Sequence, residues 1–120
     1  MNHNTVISLP VAASTTISAF LRVKVGASAK VAAADAADTA IGTNLQDIDS
    51  TVVGRDIASV QLLNGGGIHY ATYGTSTALS QGDPIVAADG GKVTKGAVSP
   101  IGVALESASA SGDVIRVLYF

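Results

Sequence analysis

The side chains that can carry out chemistry are few in this sequence, and they are scattered. The two histidines are His3, near the start, and His69, which alternates with Ile and Tyr as an exposed or interfacial strand residue does. Asp47 and Asp49 form an Asp-x-Asp pair that can bind a hard cation, but no further carboxylate follows at the spacing of a calcium loop. Turn chemistry explains the pair better. Because no Gly-x-Ser-x-Gly nucleophile motif occurs either, we expect no enzyme, no metal site and no cofactor.

Two glycine-rich segments are candidates for presenting a ligand or a modified lysine. Residues 64–67, Asn-Gly-Gly-Gly, have the flexibility of a phosphate loop, but the Gly-Lys-Ser/Thr that such a loop needs does not follow, so we predict a hairpin turn. Lys92 follows Asp-Gly-Gly, as the lysine of a biotinyl or lipoyl carrier follows a hairpin. Gly91 and Val93 flank it where carriers have methionine or alanine, and the carrier domain remains one alternative.

The composition excludes several classes of protein. Of the 120 residues only 13% are charged, whereas a typical domain has about a quarter. A net charge of −2 argues against nucleic-acid binding, and the absence of cysteine excludes disulfides and thiolate metal sites. No apolar run approaches about 18 residues, so no membrane span is expected, and the N-terminus lacks the pattern of a signal peptide. Charge normally prevents association, so much of this surface is expected to lie against neighbours.

Period-two alternation indicates that most of the chain forms strands. At residues 20–25, Leu21, Val23 and Val25 would face a core, while Arg22 and Lys24 would lie on the exposed face. Short β-rich runs separated by turns favour an all-β barrel or sandwich. Further strands are predicted at residues 57–63, 67–73, 84–88, 92–94, 101–105 and 114–119.

An internal repeat suggests that the barrel is pseudo-duplicated. Residues 41–46 (Ile-Gly-Thr-Asn-Leu-Gln) match residues 101–106 (Ile-Gly-Val-Ala-Leu-Glu), and each copy is followed by a strand, at 57–62 and 114–119. Gly42 and Gly102 are predicted where a strand bends or another backbone comes close. Upstream, the Val-Ala-Ala-Ala run at Val31 is matched with the Val-Ala-Ala run at Val86.

These patterns divide the chain into an arm and one domain. Residues 1–18 are rich in Ser, Thr and Asn and are predicted to form an extended N-terminal arm. Residues 19–120 form a single β-barrel domain whose related halves span about 19–63 and 67–120.

Several segments in this order and spacing resemble tailed-phage head decoration (capsid cement) proteins of the DUF2190 family. The segments are Gly-Asp-Pro-Ile-Val at 82–86, Asp-Gly-Gly-Lys-Val at 89–93, Pro-Ile-Gly-Val-Ala-Leu-Glu at 100–106 and Ser-Gly-Asp-Val-Ile-Arg-Val at 111–117. The likeness extends over residues ~17 to 120. It implies a small, often oligomeric β-barrel that sits outside an icosahedral shell and bridges neighbouring major capsid proteins. The family offers no catalytic residue to transfer.

We therefore expect a virion protein on the outer surface of the head whose partners are the major capsid protein and further copies of itself, as a trimer or dimer. A tail or baseplate subunit or a receptor-binding module is the alternative within the same structural class. The arm residues expected to contact the capsid are Thr5, Val6, Ile7 and Leu9. The candidate polar contacts are Arg22 and Lys24 on the first strand, and Arg55 and Arg116 at equivalent parts of the two repeats. Tyr119 and Phe120 are expected at a barrel end or a subunit contact.

Overall fold

The computed structural model describes residues 6–26, 29–51, 56–63 and 67–120. These residues form short strands joined by turns, so the prediction of an all-β fold is confirmed. In the described ranges no helix is long and apolar enough to cross a bilayer. The twelve strands are β1 (Val6–Pro10), β2 (Thr16–Ile17), β3 (Arg22–Val25), β4 (Val31–Ala33), β5 (Gly42–Asn44), β6 (Ile48–Asp49), β7 (Ile57–Leu62), β8 (Gly67–Thr72), β9 (Pro84–Ala87), β10 (Val93–Lys95), β11 (Gly102–Ala104) and β12 (Val114–Tyr119).

Two five-stranded sheets carry the fold, and each has its own hydrophobic core. The strand orders are β1-β7-β5-β3-β4 and β10-β9-β11-β12-β8, and β2 pairs with β6 in a small third sheet. One core cluster contains Ile17, Val23 and Val60 from the first half of the chain. The other contains Tyr73 and Ile85, among others, from the second half. The chain thus consists of a first half, residues 6–63, and a second half, residues 67–120.

The two halves repeat each other strand by strand. Both sheets have the same strand order when β1 is matched with β8, β3 with β9, β4 with β10, β5 with β11 and β7 with β12. The register repeats as well, since Gly42 pairs with Leu62 and Gly102 pairs with Tyr119. The predicted match between residues 41–46 and 101–106 is therefore confirmed. Residues at the same position in the two halves are called counterparts. With the first-half residue named first, they include Val6 and Ile68, Ile7 and His69, Arg22 and Pro84, Thr43 and Val103, Gln61 and Leu118, and Leu62 and Tyr119.

Two details of the predicted repeat are wrong. Residues 6–10 do not form a separate arm, because they pair antiparallel with β7 as the edge strand of the first sheet. They are the counterpart of β8, so the first half extends to residue 6 rather than beginning at 19. Val31 is bridged to Val11 as Val93 is to Tyr73, so the counterpart of Val31 is Val93 and not Val86.

The glycines at the start of β5 and β11 allow close packing of adjacent strands, as predicted. A Cβ on Gly42 would lie 2.3 Å from the carbonyl oxygen of Gln61, and one on Gly102 would lie 2.4 Å from that of Leu118. Backbone atoms cannot withdraw from such a clash without breaking the ladder. The repeated glycine therefore marks the same structural requirement in both halves.

Candidate interaction surface

A buried arginine joins the two halves. The Nη2 atom of Arg22 on β3 donates hydrogen bonds to the carbonyl oxygens of Ala88, at 2.8 Å, and Lys92, at 3.0 Å, both in the second half. A longer contact of 3.4 Å reaches the carbonyl oxygen of Ala34. Burial lowers the pKa of Arg22 from its ordinary value, but a guanidinium keeps its charge even so. These bonds hold the β9–β10 turn against the first sheet.

The sequence prediction for Arg22 as an exposed polar contact is wrong. The side chain does point away from the core of its own sheet, as the alternation indicated, but the second half covers that face and leaves Arg22 3% exposed. The turn after β9 packs so closely that a Cβ on Gly91 would lie 2.6 Å from the carbonyl oxygen of Arg22. Two carboxylates complete the contact. Asp35 accepts a hydrogen bond from the amide of Gly90, and Asp89 accepts one from that of Ala36.

A second polar cluster lies between β5 and β8. The Nδ1 atom of His69 is 2.9 Å from Oγ1 of Thr43, and the imidazole ring meets the ring of Tyr119 edge-on with centroids 5.1 Å apart. Burial lowers the pKa of His69 and raises the pKa of Tyr119 to about 12. Within the described residues, Nε2 of His69 and the hydroxyl of Tyr119 have no hydrogen-bond partner. His69 is interfacial, but the interface is an internal one.

A cleft of about 310 Å³ opens where the halves meet. Arg22 and Leu63 line it from the first half, and Ile101, Tyr119 and Phe120 line it from the second. Tyr119 is 4% exposed and packs in the core of the second half, whereas Phe120 is 69% exposed. The two residues predicted at a barrel end or subunit contact therefore differ, since Phe120 alone is available to a partner. The cleft is near the lower size limit of small-molecule pockets.

Several large apolar side chains remain exposed, and they concentrate on the outer faces of the strands. Ile68 and Leu118 pair directly across β8 and β12, and Tyr70 lies on the same face of β8. Exposed apolar patches are typical of surfaces that bind other proteins. Among the described residues, the set of such side chains is Val6, Val25, Ile57, Ile68, Tyr70, Val98, Val114, Leu118 and Phe120. Sequence reasoning identified only Val6 and Phe120 as contact candidates.

The residues predicted to contact the capsid as a free arm are placed differently. Val6 is 51% exposed, but Ile7 and Leu9 pack against the core of the first half. Because β1 uses these two side chains to cover its own sheet, they do not belong to a free arm, and the prediction of an arm is wrong for them. Thr5 lies outside the described residues.

The remaining predicted cations lie at the surface or beyond the described ranges. Lys24 is half-buried and forms an ion pair with Asp38 at 2.9 Å, which raises the pKa of Lys24 through the hydrogen bond. Arg116 lies 3.6 Å from Glu106 with its side chain 53% exposed. Arg55 lies outside the described residues. The counterpart of Arg116 is Ser59, so the predicted equivalence of Arg55 and Arg116 is wrong.

The other candidates for chemistry serve the fold. The Oδ1 atom of Asp47 accepts a hydrogen bond from the amide of Ala19, and Oδ1 of Asp49 accepts one from that of Thr51, as turn residues do. Lys92 follows a 3₁₀ turn at 89–91 that is packed against Arg22, and its carbonyl is bound there. A carrier lysine needs a hairpin that projects freely, so this packing disfavours the carrier alternative. Residues 64–66 of the glycine-rich segment lie outside the described residues.

Comparison with known proteins identifies the fold and no family. The chain matches no protein family model and no curated protein. Its structure is similar to the crystal structure of the head fiber gp8.5 N base of bacteriophage phi29, with a TM-score of 0.72 and 15% sequence identity. The likeness covers 97% of this chain and 95% of that one. The chain therefore shares the fold of that base along almost its whole length.

Proposed function

We propose that this chain is a non-enzymatic virion protein that binds the outer surface of a phage head and bridges neighbouring capsid proteins. The observation that carries the proposal is the structural match to the head fiber base, because it extends over nearly all of both chains. The neighbour is named as a head fiber protein, which favours the head over a tail or baseplate. Attachment to a repeated lattice also suits a chain that repeats its own fold.

The best candidates for the capsid contact are the first residues of β7 and β12. Ile57 begins β7 and Val114 begins β12 at equivalent positions, and they are 51% and 47% exposed. A shell presents the same site on each of its subunits. A chain with an exposed apolar residue at the same position in each half can therefore occupy two neighbouring sites. Two weak contacts on one chain bind far more tightly than either alone.

Microscopy of virions tests the location directly. Cryo-electron microscopy of particles from the phage that encodes this chain should show regular protrusions on the head. They should accommodate units whose Cα atoms extend over 40 × 34 × 21 Å. Detection of the protein only in tails, or its absence from particles, would overturn the proposal.

Binding of the purified protein to heads that lack it tests the contact residues. The double variant Ile57→Gln and Val114→Gln should co-sediment with heads at least tenfold less well than the wild type, because both apolar contacts are lost together. The matched control is Gln81→Ala, an exposed residue in a turn of the second half, which should bind as the wild type does. Equal binding of the double variant would refute the assignment of the contact.

A further inference from the structure

We infer that this chain associates head-to-tail with further copies of itself, by repeating between molecules the contact that its two halves make within one. In that internal contact the outer face of the first half receives the β8 end of the second half. The second half has its own outer face, and the first half has its own β1 end. Both are uncovered in a single chain. This inference goes beyond the proposed function and does not depend on it, because self-association is measurable without a capsid.

The two surfaces are defined by the strand-by-strand equivalence of the halves. The back surface is the outer face of the second half and comprises Val98, Val103, Leu118 and Phe120. The front surface is the β1 end of the first half and comprises Ile7, Val25 and Leu62, whose counterparts His69, Ala87 and Tyr119 meet the first half or line the cleft. The counterparts of Leu118 and Val103 are Gln61 and Thr43, which form hydrogen bonds with the second half. The counterpart of Phe120 is Leu63, which lines the cleft between the halves. Val98 lies in the loop that corresponds to residues 35–40, where Asp35 and Ala36 make the internal contact.

Exposure of apolar side chains supports the same pairing of surfaces. Four of the nine exposed large apolar residues named above belong to the front or back surface. On the back surface Val98, Leu118 and Phe120 are 86%, 38% and 69% exposed. On the front surface Val25 is 45% exposed. Val25 is the counterpart of Ala87, which lines the cleft between the halves. These four exposed residues are thus found where the internal contact would be repeated.

The internal contact is made by polar side chains, whereas their counterparts on the front and back surfaces are apolar. Association between separate molecules requires this difference. Thr43 and His69 form a hydrogen bond inside the chain, and their counterparts are Val103 and Ile7. Gln61 donates to the carbonyl of Ile68, and its counterpart is Leu118. A contact between tethered halves benefits from a high effective concentration and can be polar. A contact between separate molecules must recover the cost of association, which apolar burial supplies.

The geometry makes the expected assembly heterologous. The front and back surfaces are different, so each copy uses its front on one neighbour and its back on the other. Such contacts close into rings or continue as filaments, whereas a two-fold dimer would place the same surface on both sides.

Two complementary variants distinguish these arrangements. Val25→Glu disables the front surface and Leu118→Lys disables the back surface, and both changes are at exposed positions that leave the cores intact. Multi-angle light scattering should show an oligomer for the wild-type chain and a monomer for each variant alone. An equimolar mixture should give a dimer, because the intact back of the first variant meets the intact front of the second.

Controls keep the test decisive. Val114→Gln removes a similarly exposed apolar residue, but its counterpart Ile57 stays 51% exposed beside the internal contact, so the oligomer should persist. Where a charged variant does not fold, the double change Val103→Thr and Leu118→Gln introduces the residues that the first half carries at these positions. It should also dissociate the oligomer. A monomeric wild type at the highest attainable concentration, or variants that remain monomeric when mixed, would overturn the inference.

Discussion

Replacing Arg22 with methionine should loosen the contact between the two halves while leaving each core intact. The guanidinium supplies hydrogen bonds of 2.8 and 3.0 Å to the carbonyl oxygens of Ala88 and Lys92. Methionine retains most of the aliphatic volume but donates nothing, so both carbonyls lose their charged donor. The variant therefore measures how much the polar contact contributes to joining the halves.

The expected loss follows from the number and length of these bonds. A hydrogen bond from a charged donor contributes about 1.5–3 kcal/mol. Two short bonds to adjacent acceptors are not fully additive, so we expect a loss of about 3–5 kcal/mol. The bond to Ala34 is 3.4 Å long and adds little. Because water can enter the neighbouring cleft and bind the freed carbonyls, the lower end of this range applies. A domain with a typical stability of about 5–15 kcal/mol stays folded after such a loss.

Urea unfolding followed by circular dichroism gives the free energy for each variant. Arg22→Lys should fall between the wild type and Arg22→Met, since an ammonium retains charge but lacks the Nε that also donates to the carbonyl oxygen of Lys92, at 3.3 Å. The matched control is Arg116→Met, which removes a 3.6 Å ion pair from an exposed side chain and should cost less than about 1 kcal/mol. If Arg22→Met costs as little as the control, the halves are held together by something other than this arginine.

Three further changes test other parts of the structure. Gly102→Ala places a Cβ 2.4 Å from a carbonyl oxygen and should lower the unfolding free energy by about 3 kcal/mol or abolish folding. The control Gly26→Ala, where the nearest atom is 3.6 Å away, should cost under about 1 kcal/mol. Equal effects of the two changes would contradict the close approach of the strands at Gly102. Leu9→Ala should lower the free energy of unfolding by about 2 kcal/mol more than Val6→Ala does, in thermal or urea unfolding, because only Leu9 covers the core. If residues 6–10 were a freely extended arm, the two changes would have equal effects on stability. His69 has a pKa lowered by burial, so the stability it confers as a neutral group is complete above its unfolded pKa of about 6.5 and falls as the pH drops below that value. Urea midpoints measured from neutral pH down to about pH 5 should therefore decline less for His69→Gln than for the wild type.

The sequence predicts the repeated elements of the fold because their determinants are local. Alternating apolar residues predict β3. The glycine at the start of β5 and of β11 indicates that an adjacent strand packs closely in both halves. Strand β1 was not predicted because it pairs with β7, which is about 50 residues away in the chain. In addition, only two of its side chains, Ile7 and Leu9, face the core. A Ser- and Thr-rich neighbourhood made this short alternation look like an arm.

The contact between the halves could not be predicted from the sequence, for a different reason. Alternation correctly placed Arg22 on the face away from its own core, but no local pattern reports that a second module covers this face. One signal was available in the repeat itself. Counterpart positions that are polar in one half and apolar in the other, such as Thr43 and Val103, indicate that the two halves meet different surroundings. Comparing the halves in the correct register would have shown this difference.

The small number of charges takes on a more specific meaning in the structure. Eight of the nine acidic side chains accept a hydrogen bond from a backbone amide, and so they fix loops in place. Arg22 is buried, and Lys24, Lys95 and Arg116 are paired with carboxylates. Most of the charge is thus committed to interactions within the chain, and a net charge of −2 gives little repulsion between copies. Because this surface has little electrostatic protection and nine exposed large apolar side chains within the described ranges, we expect it to lie in contact with neighbouring molecules. The eight acidic residues are Asp35, Asp38, Asp47, Asp49, Asp83, Asp89, Glu106 and Asp113.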